Sequence, residues 1–151
     1  MKETTYCAVK PWFANKEEVI SEVKRRILSA GLEIEEEEYV KYGKEQARKH
    51  YAAHVSKDFY PHLEEYITSD KVYGMIITGE NAITKVRELV GATKNPEAGT
   101  IRHDIPTMLN IPIRVTENVV HASDSQEAAE SEIAIFKDLV KAIKAEVCDK
   151  E

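Results

Sequence analysis

The chain has 151 residues, 42% of them hydrophobic and 32% charged, with a formal net charge of −6 at pH 7. That length suits one domain with its own buried core, expected to span residues 1–151, and the composition excludes a disordered or fibrous protein. The acidic balance, with no broad basic stripe, excludes a nucleic-acid scaffold and argues against sequence-specific nucleic-acid binding.

Thr4 to Val9 is β-rich and alternates weakly, which predicts a buried strand. Asn15-Lys16-Glu17-Glu18 has the form of a capping box with Asn15 as N-cap. Val19, Ile20, Val23, Ile27 and Leu28 follow at helical spacing, and Gly31 suits a left-handed C-terminal cap. Leu32, Ile34 and Val40 suggest a second strand whose remaining positions are mostly glutamates, the pattern of a solvated face or a charged sheet edge. Two short helices are expected over residues 44–54 and 59–69, then a clear strand over 72–78 and a helix over 80–90 that ends at Gly91. Residues 92–117 hold Pro96, Gly99, Pro106 and Pro112 and read as loop. A short strand at Val119-Val120 precedes a helix from Ser125 to about Phe136, and residues 137–146 also have helical spacing.

Cys7 and Cys148 are too far apart in sequence to suggest a disulfide framework or metal motif, so a reducing cytosol is the default. The opening Met1-Lys2-Glu3-Thr4-Thr5 has no apolar signal region, and no apolar run approaches a membrane span. A cytoplasmic protein without membrane contact is expected. The order β-α-β-α-α-β-α-β-α is compatible with a ferredoxin-like βαββαβ arrangement carrying a helical excursion after its second strand. Periodicity alone does not choose that fold over other α/β folds.

The most informative segment is Asn118-Val119-Val120-His121-Ala122-Ser123-Asp124-Ser125. It puts an imidazole at a strand end, just ahead of a helix N-terminus, where unpaired N–H groups and the helix dipole attract phosphate. A nucleophilic histidine beside a phosphate site suits phosphoryl transfer. A lone histidine there reads more readily as a structural side chain at a strand end. Asp124 also reads as a plain N-cap, with Glu127 completing Asp-x-x-Glu.

The octad resembles the active-site signature of the nucleoside diphosphate kinases, Asn-aliphatic-aliphatic-His-Gly-Ser-Asp-Ser. Further segments resemble that family in order: Tyr6-Cys7-Ala8-Val9-Lys10-Pro11, then His50-Tyr51, then Phe59-Tyr60-Pro61. Gly91-Ala92-Thr93, Asn95-Pro96, Gly99-Thr100-Ile101-Arg102 and Glu130-Ser131-Glu132-Ile133 complete the series, so the resemblance spans about residues 4–137.

The resemblance implies an α/β (α+β) ferredoxin-like fold, with an antiparallel four-stranded sheet covered by helices. It implies a phosphotransferase moving the γ-phosphate of a nucleoside triphosphate (ATP, GTP and others) to a diphosphate such as ADP. The route is ping-pong, through a phosphohistidine on His121. By the same resemblance Glu132 and Ser123 hold the imidazole, and Tyr51 stands close to it. Lys10, Arg87, Arg102 and Thr93 bind phosphate oxygens, and Asn118 with Lys10 contacts the sugar hydroxyls. Phe59 carries the stacked base, though its residue type also suits a core anchor at a helix start. Mg2+ arrives on the phosphates, with Asp124 touching it through water, and a homo-tetramer or homo-hexamer is expected. The alternative is a catalytically weak nucleotide-binding or protein-interaction module on the same scaffold. Phosphohistidine relay domains are helical bundles and do not share this strand-rich pattern.

Several positions depart from the family pattern. Pro11-Trp12-Phe13 stands in place of Pro-Asp-Gly, and its aromatics suit either a subunit contact or packing beneath the first helix. Ala122 replaces the commoner glycine, which is tolerated unless that position needs a positive φ. Lys57-Asp58 replaces Arg-Pro, and the 93–102 loop, which helps build the oligomer in many relatives, is short. The stretch from His103 to Glu117 is longer than usual, so no second base-clamping side chain is assigned from sequence.

Overall fold

In the computed structural model the backbone is described for residues 2–150 and the side chains for residues 2–145, so the Cys148 side chain lies outside the described residues. Four strands, β1 (Lys2–Val9), β2 (Glu33–Val40), β3 (Val72–Glu80) and β4 (Val120–Ala122), form one antiparallel sheet in the order β2-β3-β1-β4. Helices α1 (Glu17–Ser29), α2 (Lys44–His50), α3 (Tyr60–Thr68), α4 (Ala82–Val90), α5 (Ile101–Met108) and α6 (Gln126–Lys150) connect and cover it. This is the ferredoxin-like arrangement, with α2 and α3 inserted between β2 and β3.

Side chains alternate across a strand, so β1 feeds two cores. Cys7 and Val9 join Val23 and Ile27 of α1, Val86 and Val90 of α4, and Ile101 and Ile105 of α5. Tyr6 and Ala8 join Ala47 of α2, Leu63 and Ile67 of α3, and Phe136 and Val140 of α6. Burial on both faces explains why β1 reads as a nearly continuous apolar run. Gly74, near the start of β3, makes room for the second core: a Cβ there would fall 2.5 Å from the Phe136 ring and 2.7 Å from the Tyr6 hydroxyl.

β2 is an edge strand, as its glutamates predict. Gly31 takes φ +83° after α1, as its cap position predicts. Three local expectations are corrected. Asn15 does not cap α1. It closes a 3-10 turn over Phe13–Asn15 and spends its amide on Asp70, 3.0 Å away, leaving Lys16 at the N-cap without a side-chain bond. The 44–54 helix stops at His50 and tightens into a 3-10 turn over Ala52–His54.

The stretch read as loop contains α5. Pro106 removes one N–H donor from it, yet Ile101 and Ile105 are fully buried and their packing outweighs the break. Asp104 of α5 meets Arg26 of α1 at 2.9 Å, and Arg26 also bonds Glu22 at 2.6 Å and the Gly99 carbonyl at 3.2 Å, which ties α5 and its preceding loop to α1. The helical spacing expected after residue 125 is realised as one long helix, α6. Its N-terminal bond comes from Ser125, whose Oγ accepts the Ala128 N–H at 3.0 Å.

Among the described residues, no helix is long and apolar enough to cross a membrane. Phe13 is buried beneath α1, whereas Trp12 stays half-exposed at φ +71° with its ring edge-on to Phe13 and Lys16 above it.

Candidate active site

The site gathers at the end of the sheet where β1 and β4 pair. His121 is the middle residue of the three-residue β4, opposite Ala8 of β1, so the strand runs one residue past the strand-end position that the sequence suggested. Val120 beside it faces the α1/α4/α5 core, so alternation turns His121 to the α2/α6 side. Ala122 has no positive φ and takes the family's glycine position without strain.

Glu132, two turns into α6 and buried, is the hub. Its Oε1 receives His121 Nε2 at 2.6 Å and the Ser123 hydroxyl at 2.6 Å. Burial raises the Glu132 carboxyl, whereas the donated bond from Ser123 and the nearby His50 favour its ionised form. Burial first, then the charges of Lys10 and Arg102, lower the His121 imidazole to about 3, so at neutral pH the ring carries one proton and one lone pair.

A cavity of about 310 Å3 opens in front of His121, lined also by Arg87, Arg102, Thr93, Asp124 and Glu132. Arg102 is fixed before any anion arrives. Its NH1 bonds the Gly91 carbonyl at 2.9 Å and Thr93 Oγ1 at 3.4 Å, and its NH2 bonds the Val120 carbonyl at 3.1 Å. Its buried Nε has no partner. Burial lowers Arg102 from its ordinary value, which leaves it charged. Lys10, just after β1, is buried, and that burial, followed by the Arg102 charge, brings its ammonium down to about 7.

A second cavity of about 400 Å3 shares His121, Tyr51, Thr93 and Arg102 with the first and has a more apolar end. Phe59, 44% exposed, forms one wall there, and Val115, 48% exposed, lines the same space. Lys10 and Asn118 line it too, and the buried Asn118 Oδ1 has no partner, since Nδ2 is spent on the Val115 carbonyl at 2.7 Å. The exposure of Phe59 argues against a simple core anchor. Every candidate named from the sequence thus lies on one of two adjoining cavities or, for Ser123, one bond behind them. Asp124 is exposed on the first cavity, and Ser125, not Asp124, supplies the side-chain cap of α6.

Val115 and His50 were not picked out from sequence. Val115 is one valine in an irregular segment, and only its position three residues before Asn118 hints at it. His50 was visible only as half of the His50-Tyr51 pair. Its ring stands 4.4 Å from that of His121, centroid to centroid, and its Nε2 is 3.9 Å from Glu132 Oε1.

A ferredoxin-like sheet holding a neutral imidazole over a cationic, nucleotide-sized cavity defines a class: a nucleotide phosphotransferase of α/β build. The family is set by likeness to known proteins. The model of the family described as "Nucleoside diphosphate kinase" matches residues 3–140. Nucleoside diphosphate kinases of Methanocaldococcus jannaschii and Archaeoglobus fulgidus are 40% and 43% identical to this chain, covering 90% and 89% of it and 94% and 85% of themselves. The solved nucleoside diphosphate kinase of Halobacterium salinarum in complex with CDP superposes with a TM-score of 0.80 at 33% identity, over 90% of this chain and 88% of that one. The chain belongs to the nucleoside diphosphate kinase family and is a phosphotransferase.

Proposed function

We propose that this single domain, residues 1–151, exchanges the terminal phosphate between nucleoside triphosphates and diphosphates by a ping-pong route through phospho-His121. The observation that carries this reading is the 2.6 Å bond between His121 Nε2 and Glu132. That bond spends the Nε2 proton on the carboxylate and leaves Nδ1 as the nitrogen with the free lone pair. Attack by Nδ1 on the γ-phosphorus forms a P–N bond as the bond to the β–γ bridging oxygen breaks, and the diphosphate leaves with that electron pair. Positive charge building on the ring meets Glu132, and Ser123 keeps the carboxylate aimed. Arg87, Arg102, Lys10 and Thr93 stabilise the transferring oxygens, the main task in this chemistry. The second nucleotide reverses the steps.

The base stacks on Phe59 with Val115 on the same cavity, an arrangement that accepts any base because every base has a π-face. Asn118 and Lys10 serve the sugar hydroxyls, and Tyr51 closes the space beside His121. The family's work on nucleotide phosphates generally needs a divalent metal, and the exposed Asp124 carboxylate on the phosphate cavity is a hard oxygen donor that suits Mg2+. Asp124 would hold Mg2+ through water, and when bound the ion neutralises phosphate charge. Cytoplasmic residence and a homo-tetramer or homo-hexamer complete the reading. The half-exposed Trp12 supports the assembly, which light scattering at micromolar concentration tests: a 17.1 kDa particle would refute it.

The central test is chemical. Incubation with magnesium and γ-labelled ATP, without acceptor, is expected to leave acid-labile, base-stable label on His121, and added ADP should remove it as ATP. Label on Ser123 or Ser125, or undiminished turnover by His121→Gln, would refute the route.

A further inference from the structure

One buried polar atom has no part in the transfer. His50 Nε2 has no hydrogen-bond partner, although its side chain is almost wholly enclosed. It faces the very oxygen that His121 and Ser123 share, Glu132 Oε1, at 3.9 Å. One ligand atom each from His50, His121 and Glu132 lies within 4.8 Å of the other two. Two imidazole nitrogens and a carboxylate oxygen are donors for a borderline transition metal, zinc first, whereas magnesium prefers oxygen ligands and keeps much of its water. All three residues border the cavity in front of His121, which gives an ion a route toward them.

We propose that the nucleotide-free enzyme binds one zinc ion between His50, His121 and Glu132, and that this ion switches phosphoryl transfer off. The inhibitory half rests on His121 being the nucleophile.

Zinc bonds of about 2.0–2.2 Å put tetrahedral ligands roughly 3.3–3.5 Å apart. The His50–Glu132 gap of 3.9 Å therefore closes by a few tenths of an ångström, and the two imidazole nitrogens, within 4.8 Å of each other, approach by at most about 1.4 Å. The 2.6 Å contact of His121 with Glu132 opens by less than an ångström as zinc replaces the proton between them.

The surroundings accept the required tautomers. A neutral imidazole bound through Nε2 carries its proton on Nδ1. His50 Nδ1 lies 3.2 Å from the Tyr42 hydroxyl, which lies 2.8 Å from the Tyr6 hydroxyl. Hydroxyls rotate, so Tyr42 can accept the His50 proton and donate its own to Tyr6, as an outer partner of a metal-bound histidine does. Ser123 holds the carboxylate ligand in the same way. For His121 the consequence is chemical: metal on Nε2 leaves the proton on Nδ1, and the lone pair that would attack phosphorus is gone.

Calorimetric titration of chelator-treated, nucleotide-free protein with zinc chloride is expected to show one site per chain. Cobalt(II) in its place should give the intense visible bands of four-coordinate cobalt. His50→Gln should weaken zinc at least tenfold. Tyr42→Phe keeps the ring that packs in the core and removes only the outer partner, so it should weaken zinc by about 10- to 100-fold. Nitrogen-15 spectra of histidine-labelled protein should show the His121 proton move to Nδ1 when zinc is added. Zinc binding only at millimolar concentration, or equally well to both variants, would overturn the site, as would a loss caused instead by His62→Gln or His103→Gln. Zinc-loaded protein given γ-labelled ATP and magnesium should take up little label, and full labelling with zinc in place would overturn the inhibition. If metal-free protein took no label either, the phosphohistidine route would fail while the zinc titration still decided the site.

Discussion

Ser123 and His121 meet on one oxygen: the hydroxyl and the ring Nε2 each lie 2.6 Å from Glu132 Oε1. The two bonds divide the work, since one orients the imidazole and the other keeps the carboxylate from turning away. A hydrogen bond to a charged group is worth about 1.5–3 kcal/mol. Ser123→Ala is therefore expected to slow transfer by roughly 10- to 150-fold with little change in KM. Glu132→Gln should cost more, about 10²–10⁴-fold, because it removes the group that balances charge on the ring. Steady-state rates with matched nucleotide pairs check both, and equal, small losses would show that neither residue positions His121.

Phe59→Ala is expected to weaken use of every nucleotide while leaving the fold intact, because the ring is 44% exposed and contributes little to the core. Aromatic stacking is worth about 1–3 kcal/mol per base, which corresponds to a roughly 5- to 100-fold fall in kcat/KM. The measurement is a set of kcat/KM values for adenine, guanine, cytosine and uracil nucleotides. A loss confined to one base would identify Phe59 as a specificity contact instead of a platform.

Lys10 gives the site a proton-coupled affinity. Free, its ammonium sits at about 7, held down by burial and by Arg102. Phosphate beside it favours the charged form and raises that value. Binding of ADP at pH 8 should therefore take up protons, and affinity should fall as pH rises above about 7. Calorimetry in buffers of different ionisation heat reads the proton count directly. Lys10→Arg, charged throughout this range, should abolish the uptake; uptake of the same size in that variant would assign the effect elsewhere.

The pair of carboxylates around Arg26 sets the acid limit of α5. Asp104 is lowered to about 2 by its bonds from His103, the Gly99 N–H and Arg26, and Glu22 to about 2 by Arg25 and Arg26. Both are more acidic folded than unfolded. Their stabilisation is fully present above the ordinary carboxylate range near pH 4 and is lost as pH falls toward about 2. Asp104→Asn should lower stability at pH 7 by about 1 kcal/mol and flatten that acid limb. Thermal melts from pH 2 to 7 give the comparison; an unchanged acid limb would refute it.

The residues that gather at the candidate site were legible because their types and order are specific. An Asn-x-x-His-x-Ser-Asp-Ser octad with a downstream glutamate leaves few alternatives. The sheet was legible because burial on one or both faces imposes its own pattern on β1, β2 and β3. What escaped was set by tertiary contacts. Helix α5 forms despite Pro106 because Ile101 and Ile105 have a core to enter, which no local window reveals. Asn15 has the right spacing for a cap but found Asp70, 55 residues away, as its partner. His50 carries no local sign that its Nε2 faces Glu132, because α2 and α6 come together only in the folded chain.

Gly74 makes the chemistry vulnerable at a position with no chemistry of its own. Phe136 occupies the space its missing side chain leaves, and Phe136 lies one helical turn after Glu132 on the same face of α6. One added methyl group in β3 would press on Phe136 and on the Tyr6 hydroxyl, and α6 would carry any shift of Phe136 to the carboxylate that aims His121. Evolutionary drift at residue 74 is thus tied to residues 136 and 6. Lineages that gain a side chain there should carry a smaller residue at one of the other two.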